Sequence, residues 1–260
     1  MQRYFVEPEQ FSETEITITG DDVHHIVRVM RAREGEQILV SDGAGRTALA
    51  RLTALSTREV KAQVVEMMTE QRELPVRVTI GQGLPKGEKM EWILQKGTEL
   101  GAYSFFPFSS ERTIVRLDAK KEAKKLERWR KIIKEAAEQS HRSLLPQLLP
   151  PASFREVLEQ GKKYSHRAIA YEKEEGTTLH PLLESMREGD SLLILVGPEG
   201  GFSSEEIAVA EAAGFLPVSL GPRILRTETA SQYILSAVSY QFEQRRGAAR
   251  LFDTAERKEE

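Results

Sequence analysis

The chain has 260 residues, 40% hydrophobic and 30% charged, with a net charge of −3, so overall charge does not mark it as a nucleic-acid binder. It has no cysteine, which excludes disulfides and thiolate metal sites. Its longest apolar runs fall far short of the roughly 20 residues that span a bilayer, and its first residues, MQRYFVEPEQ, carry no signal-peptide pattern, so a cytoplasmic protein is expected.

Residues 1–72 read as a small, mostly β unit. Glu15-Ile16-Thr17-Ile18-Thr19 alternates with period two, and 37–40 is a short apolar strand. Asp42-Gly43-Ala44-Gly45 is a hairpin turn, followed by strands over 47–55 and 59–65. One helix, 21–30, interrupts this pattern. Asp21 or Asp22 is its N-cap, and Val23, Ile26, Val27 and Met30 form its apolar face. His24 and His25 are adjacent on it and face different ways, so no metal site is expected. Arg28, Arg31 and Arg33 follow, and Arg3 lies near the start of the chain. They read either as solvated cations complementing the helix dipole or as a phosphate-contacting patch.

The polar run 67–73 separates two patterns, which gives domains over 1–72 and 73–250 and a charged, frayed tail over 251–260. From Val76 strands and helices alternate, the signature of an α/β domain with a mostly parallel sheet. A strand over 76–81 leads to a helix over 87–100, and a strand over 103–108 to a long helix over 118–140. The first half of that helix is basic, from Lys120 to Lys134, and reads as a solvated face or an RNA groove. Its second half, EAAEQSHR, sets Glu135, Glu138 and Arg142 on one face. Pro146, Pro150 and Pro151 form a connector, Ser153 and Glu156 cap a short helix, and 168–171 is a further strand.

The stretch 192–206, LLILVGPEGGFSSEE, is the most informative. Five apolar residues without alternation make a strand buried on both faces. Gly197-Pro198 ends it, Gly200-Gly201 allows close backbone approach, and Ser203 with Glu206 is a capping box. A glycine loop between strand and helix is the usual ligand position in an open α/β sheet. The loop lacks the lysine of a phosphate loop and the third spaced glycine of a dinucleotide fingerprint. Ser219 to Ala230, SLGPRILRTETA, repeats the same logic after a strand over 216–220. Thr229 and Gln232 read as the capping box of a last helix over 229–245. The two loops are expected to wall one pocket, with Ile224 and Leu225 as an apolar floor. An adenosine-like ligand suits exposed amides and apolar contacts better than a polyphosphate does.

LVGPEGGFSSEE together with LGPRILRTETA resembles the RsmE family, the 16S ribosomal RNA uracil-N3 methyltransferases of the SPOUT superfamily. RYFV, HHIVRVMR, DGAGR, KGEKMEWILQKGTELG, the SERT of Ser110 to Thr113 and EAAEQSHR extend the likeness over almost the whole chain. The resemblance implies a PUA-like RNA-binding β-barrel, then a SPOUT α/β domain with a trefoil knot. It further implies a homodimer that acts on 16S ribosomal RNA in the small subunit and needs no metal or membrane. Its cofactor would be S-adenosyl-L-methionine, held by Leu195, Gly197, Glu199, Gly200, Gly201, Leu220, Gly221, Ile224, Leu225, Arg226, Thr229 and Ala230. For catalysis, Arg142 and Arg226 are the expected cations and Glu138 or Glu228 the expected base. Arg3, Arg28, Arg31, Arg33, Lys86, Arg112 and Arg116 are the expected RNA contacts. A rival of another class is a non-catalytic ribosome assembly factor that keeps the fold; close-approach glycines in both loops speak against it.

Overall fold

The computed structural model describes residues 1–69, 72–114 and 119–245. The chain forms two compact units, one made of Met1–Glu73 and Ile133–Pro146, the other of Leu74–Ile132 and Gln147–Glu260.

The first unit is a five-stranded sheet of β1 (Arg3–Phe5), β2 (Glu15–Thr19), β3 (Gln37–Ser41), β4 (Thr47–Leu55) and β5 (Glu59–Met68). The strand order is β1-β3-β4-β5-β2, antiparallel except for β1 beside β3. Period-two alternation turns Ile16 and Ile18 of β2 inward, where they meet Tyr4, Val40, Leu52 and Val60 in one core. The expected helix over 21–30 is shorter. A single α turn, α1 (Asp21–His24), starts from Gly20 rather than an aspartate and passes into a π turn over His25–Val29, closed by Met30 N–H on the His25 carbonyl at 2.9 Å. The wider turn carries Met30 out of the core, to 44% exposure, while Val23 and Ile26 stay buried. Asp22 is spent on Lys134, which lies 2.6 Å away.

That pairing belongs to a feature the sequence pattern does not show. Residues Ile133–Pro146, read as the end of a long helix and a connector, belong to the first unit. The Phe5 amide donates to Glu138 at 3.3 Å, Leu145 N–H reaches the Gly43 carbonyl at 3.0 Å, and Ala44 bridges Leu144.

The second unit is a seven-stranded sheet in which every pairing is parallel. Its strands are β6 (Arg77–Gly83), β7 (Ser104–Ser109), β8 (Gln147–Leu148), β9 (Ala152–Ser153), β10 (His166–Ala170), β11 (Ser191–Val196) and β12 (Leu216–Val218). The order is β12-β10-β11-β6-β7-β8, with β9 also on β7. The helices are α2 (Lys89–Glu99), α3 (Ala119–Gln139), α4 (Phe154–Gly161), α5 (Leu179–Ser185), α6 (Ser204–Ala212) and α7 (Thr227–Ser239); the last turns of α3 are those counted with the first unit. The central β11 is buried from Leu192 to Val196, as its unbroken apolar run requires. No helix of the described residues is long and apolar enough to cross a membrane.

Candidate functional site

A cavity of about 910 Å³ opens beyond the carboxyl ends of β10, β11 and β12. The two glycine-proline loops form two of its walls, as their paired pattern implies. Gly197 to Phe202 supply one and Ser219 to Thr227 the other. A third wall, Ala170 to Glu175 with Thr178, has no glycine-proline signature in the sequence.

The first loop is held from both sides. Ser203 and Glu206 form the expected capping box, so the start of α6 is fixed. Glu206 also accepts the Glu111 amide at 2.8 Å, and Ser203 donates to the Glu111 carboxylate at 2.7 Å. Arg112 donates to the Gly200 carbonyl at 2.7 Å, which places this residue of the SERT segment against the loop. Gly201 has φ +65°, a left-handed backbone that glycine adopts without strain. On the inner side Gly83 of β6 presses on Pro198: a Cβ there would stand 2.6 Å from the proline Cδ.

The second loop ends earlier than its pattern implies. Helix α7 starts at Thr227 with Arg226 as N-cap, so Thr229 lies within the first turn and caps nothing. Thr227 Oγ1 donates instead to the Gly197 carbonyl at 2.6 Å, joining one loop to the other. Ile224 is 87% exposed at the mouth, and Val196, Phe202 and Ala230 give the cavity its buried apolar lining in place of the expected Ile224 and Leu225 floor.

Charge is set by residues from four segments. Glu172, Glu174, Glu175 and Glu199 line the cavity with Lys89, Arg223 and Arg226. Lys89 Nζ lies 2.7 Å from Glu199 and 3.8 Å from Glu228. Burial pushes the Glu199 carboxyl up, but Lys89 and the Lys86 amide outweigh it and hold the group below its ordinary value. One Glu228 oxygen is buried without a hydrogen-bond partner. Lys89 lies in the KGEKMEWILQKGTELG segment, where no sequence signal assigns it a role, and is brought to the cavity by α2.

Of the expected cofactor residues, Gly197, Glu199, Gly200, Gly201, Leu220, Gly221, Ile224, Leu225, Arg226 and Ala230 line this cavity. Leu195 is fully buried in β11 and Thr229 is exposed outside the lining. The expected catalytic residues divide between the units. Arg226 and Glu228 belong to the second. Arg142 and Glu138 belong to the first and have internal partners there: Arg142 is 3% exposed and paired with Glu73, and Glu138 lies 2.9 Å from Lys134. Burial raises the Glu138 carboxyl, and Lys134 only partly opposes it. Among the expected RNA contacts, Arg28, Arg31, Arg33, Lys86 and Arg112 are exposed. Arg3 is buried, its guanidinium donating to Ser41, Thr47 and the Arg142 carbonyl, which removes it from any RNA-facing surface. Arg116 lies outside the described residues.

A parallel sheet with a loop-walled cavity at its carboxyl edge, joined to a small mixed-β unit, defines a two-unit α/β ligand-binding protein. Family profiles specify the class further: residues 72–239 match an RNA methyltransferase domain and residues 18–65 an RNA methyltransferase PUA domain. A ribosomal RNA small subunit methyltransferase E of Bacillus subtilis is 47% identical over 254 residues, 95% of this chain and 99% of that protein. Its counterpart from Synechocystis is 38% identical over 91% of this chain and 77% of that protein. The crystal structure of the Neisseria gonorrhoeae enzyme of the same name, bound to S-adenosyl methionine, superposes with a TM-score of 0.82 at 35% identity, covering 93% of this chain and 98% of that one. The chain belongs to the ribosomal RNA small subunit methyltransferase E family.

Proposed function

We propose that the protein methylates N3 of a uridine in 16S ribosomal RNA, in the cytoplasm, as a homodimer, with S-adenosyl-L-methionine in the cavity between the glycine-proline loops. The observation that carries this reading is the cavity itself. Its two loop walls match the residues expected to hold the cofactor, and its four carboxylates suit a ligand bearing sulfonium and ammonium charge. When bound, S-adenosyl-L-methionine supplies an electrophilic methyl group. The chain then has three tasks.

The first is orientation. Backbone groups of Gly197, Gly200, Leu220 and Gly221 would hold the ligand's polar groups, and Val196, Phe202 and Ala230 would supply apolar contact. Fixing both reactants in line is worth up to about 7–11 kcal/mol of the barrier. The second is proton removal from N3, for which Glu228 is the favoured base because its Oε2, 3.8 Å from Lys89, is buried and makes no hydrogen bond among the described residues. The third is stabilisation of charge developing on the uracil oxygens, assigned to Arg226. Within this reading the domains run over 1–72 and 73–250, with 133–146 counted in the first, the two joined loops form part of a trefoil knot, and Arg28, Arg31, Arg33, Lys86 and Arg112 contact phosphates. Arg142 and Glu138 act by holding the first unit in shape.

Calorimetric titration with S-adenosyl-L-methionine, with NAD and ATP as controls, tests the ligand. Transfer of labelled methyl to small-subunit ribosomal RNA, with the product nucleoside identified, tests the reaction. Cofactor binding without transfer to any ribosomal RNA substrate would leave the assembly-factor reading in its place. A Glu228→Gln variant that binds cofactor and transfers methyl at the wild-type rate would remove Glu228 as the base.

A further inference from the structure

A second cavity, of about 670 Å³, lies in the second unit at the amino ends of β6, β7 and β11, the opposite edge of the sheet from the loops. Its presence follows from the sequence around it. Sheet positions covered by a helix are normally filled by large apolar residues, but here two are Thr79 and Ser104, and these small side chains leave space. Three prolines keep it open. Phe105 pairs with Leu148 and Phe108 with Ala152, so Leu149, Pro150 and Pro151 stand opposite only Phe106 and Pro107. Proline has no amide hydrogen to close such a ladder, and the extra residue bows outward.

The floor carries an unspent donor. Thr79 and Ser104 are 1% and 3% exposed, and their hydroxyls lie 2.6 Å apart. One of the two hydrogens makes that mutual bond. The other has no acceptor among the described residues, and both side chains line the cavity. Buried donors of this kind are normally satisfied. Tyr103 and Tyr164 provide flat apolar surface, and Arg77 and Lys163 place two cations at the rim. Arg77 lies over the Tyr103 ring at 6.0 Å and donates to the Gly189 carbonyl at 3.2 Å, and among the described residues Lys163 donates only to Gln160 at 2.8 Å. Glu156 is also at the rim, but its carboxylate is held by Ser153 in the cap of α4.

We propose that this cavity is a nucleotide site, separate from the methyl-donor site, for a nucleotide carrying a ring carbonyl. The carbonyl accepts the spare hydroxyl hydrogen of the Thr79–Ser104 pair, the ring lies on the tyrosines, and the phosphate meets Arg77 and Lys163. The volume is in the usual range for such a ligand.

The test is calorimetric titration of the full chain with UMP and GMP, against uridine, which lacks the phosphate, and AMP, which lacks the ring carbonyl. UMP or GMP should saturate the protein, with uridine and AMP at least about tenfold weaker. The double variant Thr79→Val/Ser104→Ala, which removes both hydroxyls and with them the spare hydrogen, and Lys163→Gln, on the exposed rim, should each weaken binding about fivefold or more. Thermal melting checks that the double variant is folded, and Lys163→Gln keeps the test decisive if it is not. Ribosomal RNA binding by the same variants separates the two sources. Loss with mononucleotides identifies a free ligand, and loss confined to RNA identifies a nucleotide of the polymer. No saturation by about 10 mM together with unchanged RNA affinity in Lys163→Gln overturns the proposal, as does binding that neither variant weakens.

Discussion

Thr227 Oγ1 donates to the Gly197 carbonyl at 2.6 Å and accepts from Gln82 Nε2 at 2.8 Å, so one hydroxyl joins the end of β11, the start of α7 and the carboxyl end of β6. Gly197 and Thr227 line the cavity between the two glycine-proline loops, and Gln82 is fully buried. Thr227→Val keeps the side-chain shape and leaves a buried carbonyl and a buried amide hydrogen without this partner. The expected loss is about 1–3 kcal/mol in denaturant unfolding, with weaker S-adenosyl-L-methionine binding in calorimetry. A variant as stable as the parent would show that water or a neighbour replaces the hydroxyl.

Gly83→Ala tests the close approach of β6 to the first loop. The added methyl meets Pro198 Cδ at 2.6 Å and its backbone nitrogen at 2.8 Å, and neither belongs to a flexible side-chain end. The loop has to move, at a cost of about 1–3 kcal/mol. Cofactor affinity should fall while the mixed-β unit keeps its hydrogen-exchange protection. An unchanged dissociation constant would mean that the loop position does not govern binding.

Asp42 gives a pH signature to the hairpin of the first unit. Burial pushes its carboxyl up, but Arg46 at 2.6 Å and the Ala44 and Arg46 amides outweigh burial and hold it below the ordinary 3.8. A depressed folded value stabilises the protein above 3.8, and that contribution is lost as pH falls through the folded value. Unfolding free energies of parent and Asp42→Asn, measured down to acid pH, should therefore differ by a constant amount near neutrality and converge below pH 3.8. A gap that stays constant through the acid range would separate the stabilisation from ionisation.

Arg142 and Glu73 form a clasp within the first unit. The Glu73 carboxylate takes Arg142 Nε at 3.1 Å, Ser143 N–H at 3.0 Å and Leu144 N–H at 3.1 Å, beside a close contact with Arg142 Nη2. Removing one partner of such a buried pair costs about 3–5 kcal/mol. Arg142→Ala should lower the melting temperature and leave S-adenosyl-L-methionine affinity unchanged. If methyl transfer disappears while melting and RNA binding stay at parent values, Arg142 acts on the substrate and not in the clasp.

Local chemistry was readable where the residues that act are neighbours in sequence. The Ser203–Glu206 box, the buried run of β11 and the two glycine-proline loops each announce themselves within about a dozen residues, and they converge on one cavity. Readings failed where a distant partner decides. Asp22 looks like a helix cap until Lys134 is seen to hold it, and Thr229 looks like one until Thr227 is seen bonded across 30 residues of chain to Gly197. Arg3 reads as a surface cation near the start of the chain, yet the Ser41 and Thr47 hydroxyls and a carbonyl 139 residues away hold it in a buried position. Lys89 and the acidic wall over 170–175 follow no spacing rule. They reach the cavity only because parallel strands deliver their loops to one edge.

Gln82 sits fully buried on β6 with its amide committed on both sides: Nε2 to Thr227 Oγ1 and the Gly83 carbonyl, Oε1 to Ser231 Oγ at 2.8 Å. Thr227 and Ser231 lie one helical turn apart, so the amide reads two successive rungs of α7 as a key reads a lock. Sliding the helix by a turn would bring one hydroxyl into the other's place and leave the second side of the amide unmatched, and an intermediate offset matches neither. Thr227 and Gly197, which both line the cavity between the glycine-proline loops, are therefore held in a single register.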